Sequence, residues 1–124
     1  MIIIFILILS LLVLHIFGMQ GLYYSTIFYD KILHLIGGLT AGLISIKLCR
    51  RIGVKNSKIK TVLFVLMIGI LWEAFEFAWD RLLVEGYGLP VMQLGLIDTL
   101  GDLFFDLFGV LSLLIIQKMI ANKI

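Results

Sequence analysis

Acidic side chains recur at helical spacing in three separate apolar segments of this 124-residue chain. Residues three or four positions apart share one face of a helix, so each set forms a single polar stripe. Carboxylates on an apolar helix are costly inside a membrane, which makes these stripes the first candidates for chemistry. The members are Asp30 with His34; Glu73, Glu76 and Asp80; and Asp98, Asp102 and Asp106.

The deepest of these residues are predicted to form a metal or catalytic pocket. A helix rises about 1.5 Å per residue, so His34, Glu76 and Asp102 lie about 6 Å inside their helix ends. We predict that Glu73, Glu76, Asp102 and Asp106 act as catalytic residues and metal ligands, with His34 as a further ligand. This set suits Mg²⁺, Mn²⁺, Ca²⁺ or Fe²⁺, and Zn²⁺ less specifically. A structural histidine is the alternative for His34.

The shallower charged residues are predicted to form the rim of the pocket, where Lys31 and Arg81 would hold an anionic head group. Each of them also has a simpler interpretation. Asp30 and Asp98 would be helix N-caps, and Lys31 would extend to the lipid head groups. Asp80 and Arg81 would be a solvated helix end. The predicted rim consists of Asp30, Lys31, Asp80, Arg81 and Asp98.

Membrane-spanning helices must position these residues. The chain is 62% hydrophobic and 15% charged, whereas soluble domains have about 45–50% apolar and about 25% charged residues. We predict an all-α polytopic membrane protein, a compact bundle of four transmembrane helices forming one domain over residues 1–124. The spans are predicted at about 2–18, 30–48, 60–79 and 97–120.

Composition also excludes several classes of protein. A single cysteine rules out an internal disulfide, and a net charge of +2 without a long basic tract argues against a nucleic-acid partner. The first span lacks a basic start and a small-residue cleavage site, so we expect a retained helix instead of a signal peptide. The predicted partner is therefore the lipid bilayer.

Positive charge predicts the orientation in the membrane. Five of the ten Lys and Arg residues lie between positions 49 and 60, and Lys118 and Lys123 lie near the end of the sequence. Loops rich in Lys and Arg stay in the cytoplasm. We therefore predict a multi-pass protein of the cell membrane with both termini cytoplasmic and the acidic residues at the outer face.

The order of the motifs resembles the VanZ-like superfamily of small membrane proteins, and is closest to the uncharacterised YjdF-like branch. The resemblance covers residues 28–112. It is carried by Asp30-Lys31-x-x-His34 with Gly37-Gly38, Glu73-x-x-Glu76 with Asp80-Arg81, and Asp98, Asp102 and Asp106-x-x-Gly109.

The resemblance implies little about activity. The VanZ-like superfamily is known for low-level teicoplanin resistance, and the YjdF-like branch has no assigned activity. Glu76 stands where the superfamily usually has Gln, and Asp106 where it often has Asn. Both differences make the pocket more acidic, so teicoplanin resistance is not transferred to this chain.

Three functions compete, and the sequence leaves open whether the protein is an enzyme. The first is a metal-dependent site acting on a lipid-linked or cell-envelope substrate. The second is a proton- or cation-coupled carrier, which is disfavoured because the fourth span is almost entirely apolar beyond Asp106. The third is a non-catalytic binding or assembly protein, which would form a homo-oligomer through Gly38 and Gly42 unless that face packs within the bundle.

Overall fold

Four long helices make up most of the protein in a computed structural model, which describes residues 2–26, 28–55 and 57–122. They are α1 (Ile2–Phe17), α2 (Tyr29–Arg51), α3 (Lys58–Trp79) and α4 (Leu96–Ala121). With the short turns that extend α1 and α3, all four are long and apolar enough to cross a membrane, and the described residues contain no strand. The predicted all-helical fold is confirmed. Lys123 lies outside the described residues, and the orientation in the membrane stays a prediction.

Short helical turns extend two of the long helices. Gly18–Leu22 and Tyr23–Ser25 follow α1, and Asp80–Val84 and Glu85–Tyr87 follow α3. Gly88 then ends the second extension in a left-handed conformation, with φ of 65°. The third span was predicted to end at about residue 79, but the chain stays helical as far as Tyr87.

The close approach of α2 and α4 forms the centre of the bundle. A Cβ atom added at Gly38 would overlap the backbone of Asp106, and one added at Gly109 would overlap the backbone of Leu35. Gly42 faces Leu113 and Val110 of α4. The small-residue face of α2 is thus used for packing within the chain, which was one of the two interpretations of that face.

The two ends of the bundle differ in charge. We call the end where α2 and α4 begin and α3 ends the acidic end, because it carries the carboxylate stripes. The basic end is where α2 finishes with Arg50 and Arg51 and α3 begins with Lys58. Large apolar side chains such as Ile3, Phe5 and Phe104 point outward, as expected for helices surrounded by lipid.

The connection from α3 to α4 folds back onto the end of α3. The Asp80 carboxylate accepts hydrogen bonds from the backbone amides of Met92 at 2.8 Å and Gln93 at 3.1 Å. The Trp79 indole donates to the carbonyl of Pro90 at 3.2 Å, and the Tyr24 hydroxyl donates to the carbonyl of Val91. These contacts fix the connection beside the acidic end.

Candidate functional site

His34 lies at the centre of a group of carboxylates that come from three helices. Its Nε2 atom is 3.9 Å from Asp30 Oδ1 and 3.8 Å from Asp102 Oδ1. The same atom is 4.0 Å from Glu73 Oε1, and Nδ1 is 3.3 Å from Asp106 Oδ2. We call these five residues the His34 cluster. His34, which was predicted as a further ligand beside the acidic residues, lies in the middle of this group.

Asp106 orients the imidazole ring. A hydrogen bond links His34 Nδ1 and Asp106 Oδ2 at 3.3 Å, and Nδ1 is the donor because an ionised carboxylate can only accept. The Nε2 atom faces the other carboxylates. The Asp106 carboxylate itself sits over Gly69, where an added Cβ would lie 2.5 Å from Oδ2. Any larger residue at position 69 would displace this carboxylate.

Glu73 brings one unsatisfied oxygen into the cluster. Its Oε2 atom accepts a hydrogen bond of 2.6 Å from the Thr99 hydroxyl, which comes from α4. Its Oε1 atom is buried and has no hydrogen-bond partner among the described residues, although it lies 4.0 Å from His34 Nε2. The Glu73 side chain is only 8% exposed. A buried polar oxygen without a partner carries a desolvation cost, which a bound ion would offset.

Glu76 is buried near the cluster and has its own partner. The Trp72 indole donates a hydrogen bond of 2.8 Å to Glu76 Oε1. Glu76 lies one turn from Glu73 on the same face of α3, but no ion pair connects it to His34 within the described residues. The structure therefore places Glu76 beside the His34 cluster, and not among the groups that contact the imidazole.

Lys31 turns inward and pairs with two aspartates of α4. Its Nζ atom is 2.5 Å from Asp98 Oδ1 and 2.6 Å from Asp102 Oδ1, and it also lies 3.9 Å from Asp30 Oδ2. The side chain is only 15% exposed. This corrects the expectation that Lys31 extends to the head groups or offers a free ammonium at the rim, because the ammonium is already bound by carboxylates.

The N-cap interpretations of Asp30 and Asp98 are wrong. The N-cap residue of α2 is Phe28 and that of α4 is Gly95, and neither uses a side-chain hydrogen bond. Asp30 and Asp98 lie in the first turns of these helices. Asp30 instead faces His34 on its own helix, and Asp98 faces Lys31 across the interface between α2 and α4.

Asp80 and Arg81 interact with groups outside the predicted pocket. Asp80 binds the backbone of the following connection, as described above. The Arg81 guanidinium pairs with Glu85 at 3.2 Å, and both side chains are 63% exposed. It also lies 5.6 Å from the centre of the Phe77 ring. Both residues therefore bind groups outside the His34 cluster, and their rim role stays a prediction.

Charge in this region is unbalanced. Among the described residues, six carboxylates belong to the His34 cluster or lie next to it, but only Lys31 and a protonated His34 offer positive charge there. Grouped carboxylates in a low-dielectric interior repel one another unless protons, water or a cation intervene. The six are Asp30, Glu73, Glu76, Asp98, Asp102 and Asp106.

Part of the cluster has the geometry of a metal site. One ligand atom from each of Asp30, His34 and Asp102 lies within 4.8 Å of the other two. A divalent ion about 2.0–2.6 Å from each ligand can bridge such distances. The predicted ligand set did not include Asp30, although its position four residues before His34 was visible in the sequence. The contacts of Thr99 and Trp72 were also not predicted from the sequence, because neither residue type by itself indicates a functional site.

Comparison with known proteins gives the family. Residues 2–123 match the family described as "Predicted membrane protein (DUF2238)". This chain belongs to the DUF2238 family. A relative of this DUF2238 protein is an uncharacterised protein of Thermotoga maritima, 33% identical over 92 residues. The alignment covers 70% of this chain and 46% of the relative, so the chain spans about half the length of that protein. No solved structure matches this chain.

Proposed function

We propose that this protein is an integral membrane protein that binds a divalent cation in an acidic pocket at the outer face of the membrane. The observation that carries the proposal is the pairing of the two imidazole nitrogens with different partners. His34 Nδ1 is hydrogen-bonded to Asp106, while Nε2 faces Asp30, Glu73 and Asp102 at 3.8–4.0 Å. A histidine that ligates a metal usually donates its other N–H to a carboxylate in this way.

The ligands in this proposal are His34 Nε2, Asp30 and Asp102, with Glu73 as the fourth. Glu73 is included because its Oε1 atom is buried and lacks a hydrogen-bond partner. In this proposal Asp106 orients His34, whereas the sequence predicted Asp106 to be a direct metal ligand. One nitrogen and several carboxylate oxygens favour Mn²⁺, Fe²⁺ or Mg²⁺ over a thiophilic metal.

The substrate in this proposal is a lipid-linked or cell-envelope molecule. A cation held by these carboxylates would polarise a phosphoryl or carbonyl oxygen of that molecule. The access from outside follows from the predicted topology, in which the acidic end faces away from the cytoplasm. We also propose the finer placement of this family member in the VanZ-like superfamily and its YjdF-like branch, on the motifs between residues 28 and 112.

A transmembrane proton path is less well supported. Beyond Asp106 toward the basic end, the buried polar side chains of the described residues are the hydroxyls of Thr40, Ser45 and Thr61. The Thr40 hydroxyl already donates to the carbonyl of Ile36 at 2.7 Å. Relays through membranes are usually built from carboxylates and imidazoles, so a pocket that is open on one side agrees better with these side chains.

The test is the metal content of the purified protein by elemental mass spectrometry, after incubation with Mg²⁺, Mn²⁺, Ca²⁺, Fe²⁺ and Zn²⁺. We expect close to one divalent ion per chain, and its loss in the His34→Gln/Asp102→Asn double variant. Glu85→Gln is the matched control, because it also removes a carboxylate but one that is 63% exposed and paired with Arg81. Absence of metal from the wild-type protein, or equal metal in all three proteins, would overturn the proposal.

A further inference from the structure

A cavity of about 440 Å³ lies between α1, α2 and α3, next to the His34 cluster. Its walls are mostly apolar, with Leu11 and Leu12 on α1 and Phe64 and Ile68 on α3. Asp30, His34 and Asp106 of the His34 cluster also line it. Ligand sites are typically cavities of this size, roughly 300–1,000 Å³, with apolar walls and a few convergent polar groups.

The cavity follows α2 for much of its length. Its lining along this helix runs from Asp30 to Ile44, which corresponds to about 21 Å of helix. The cavity therefore extends from the His34 cluster toward the basic end.

Aromatic and polar contacts hold α1 in place beside the acidic end of the cavity. The rings of His15 and Trp72 meet edge to face, with centres 5.3 Å apart, and His15 Nδ1 lies 2.6 Å from the Tyr23 hydroxyl oxygen. The Tyr29 hydroxyl donates to the carbonyl of Leu14 at 2.7 Å. These contacts attach the end of α1 to α2 and α3.

The opposite part of the cavity is exposed to the membrane. Ile8 and Leu12 line the cavity and are also 41% and 54% exposed. Since the surroundings of an exposed apolar residue in a membrane helix are lipid chains, the cavity opens sideways into the hydrocarbon layer. A chain from a membrane lipid can therefore enter between α1 and α3 without crossing a polar barrier.

We propose that this cavity binds a hydrocarbon chain of an amphiphile whose oxygen-bearing head group reaches Asp30 and His34. The part of this inference that concerns the head group rests on the proposed cation site, because Asp30 and His34 belong to both. The chain-binding part rests on the cavity alone. The inference narrows the substrate class to amphiphiles that carry a long hydrocarbon chain.

The test is photolabelling of the full chain in phosphatidylcholine nanodiscs with hexadecyl phosphate that carries a diazirine in the middle of the chain. We expect saturable labelling of peptides around Leu11 and Ile68. Leu11→Trp and Ile68→Trp, which place an indole in the cavity, should each lower the labelling roughly tenfold. Leu9→Trp and Ile70→Trp are the matched controls, because these positions are 51% and 56% exposed and do not line the cavity.

Labelling that does not saturate, or that is equal in the cavity variants and their controls, would overturn the proposal. Competition with unlabelled hexadecanol and unlabelled hexadecyl phosphate separates chain binding from head-group binding. Cation content measured on the same samples separates the two proposals. Chain labelling in a protein that takes up no metal would leave the cavity proposal standing and remove the cation site.

Discussion

Replacing Asp106 by asparagine separates the residue that orients His34 from the residues proposed to ligate the cation. An asparagine at position 106 keeps the size of the side chain and can still accept the hydrogen bond from His34 Nδ1, which spans 3.3 Å. What is lost is the negative charge. The expected result is a weaker cation site in a protein that still folds.

The magnitude follows from the distance between the charges. The Asp106 carboxylate would lie roughly 7 Å from a divalent ion on His34 Nε2, given a metal–nitrogen bond of about 2.1 Å. Coulomb's law gives about 1.2 kcal/mol for this pair in water and about 4.7 kcal/mol at an effective dielectric constant of about 20. Changes to the outer partners of metal ligands typically weaken binding by about 10–100-fold, which is about 1.4–2.8 kcal/mol.

Calorimetric titration of the detergent-solubilised protein with Mn²⁺ measures this change. We expect the dissociation constant of Asp106→Asn to rise about 10–100-fold, whereas Asp102→Asn, which loses a direct ligand, should show no saturable binding. Glu85→Gln should bind like the wild type. Equal affinities for Asp106→Asn and the wild type, or equal losses for Asp106→Asn and Glu85→Gln, would refute this reasoning.

Three further predictions follow from other contacts. Lys31→Met should raise the affinity for Mn²⁺ about tenfold in the same titration, because the ammonium that is 2.6 Å from Asp102 Oδ1 is removed; unchanged or weaker binding would contradict this. Gly38→Ala should lower the free energy of unfolding by about 1–3 kcal/mol in a thermal or denaturant assay, since its Cβ would overlap the backbone of Asp106. Gly86→Ala, which meets no atom within 4 Å, should leave stability unchanged. Asp80→Ala should speed hydrogen exchange at the Met92 and Gln93 amides without altering cation affinity, and protected amides in this variant would contradict the role of Asp80.

The four helices were predictable because each needs only a long apolar stretch, and composition alone supplies that. The meeting of the acidic stripes was also foreseeable from spacing. Asp30 and His34 are four residues apart on one helix, and Asp102 and Asp106 are four residues apart on another. Residues at such intervals share a face, and faces of this polarity are expected to turn away from lipid.

The partners within the site were less predictable, because they depend on how the helices cross. Lys31 has a long, flexible side chain that can reach lipid head groups or a neighbouring helix, and only the packing of α2 on α4 shows that it reaches Asp98 and Asp102. The third helix was predicted to end near Arg81, but it continues through a π-helical turn. That continuation placed Glu85 one turn away from Arg81.

The most direct test of the central claim is electron spin-echo spectroscopy of the protein loaded with one equivalent of Mn²⁺. If His34 Nε2 ligates the cation, the wild-type spectrum should contain the modulation of a directly coordinated imidazole nitrogen, and His34→Gln should lack it. The Glu85→Gln protein should give the wild-type spectrum. Bound Mn²⁺ without nitrogen modulation in the wild type would contradict a cation site centred on His34.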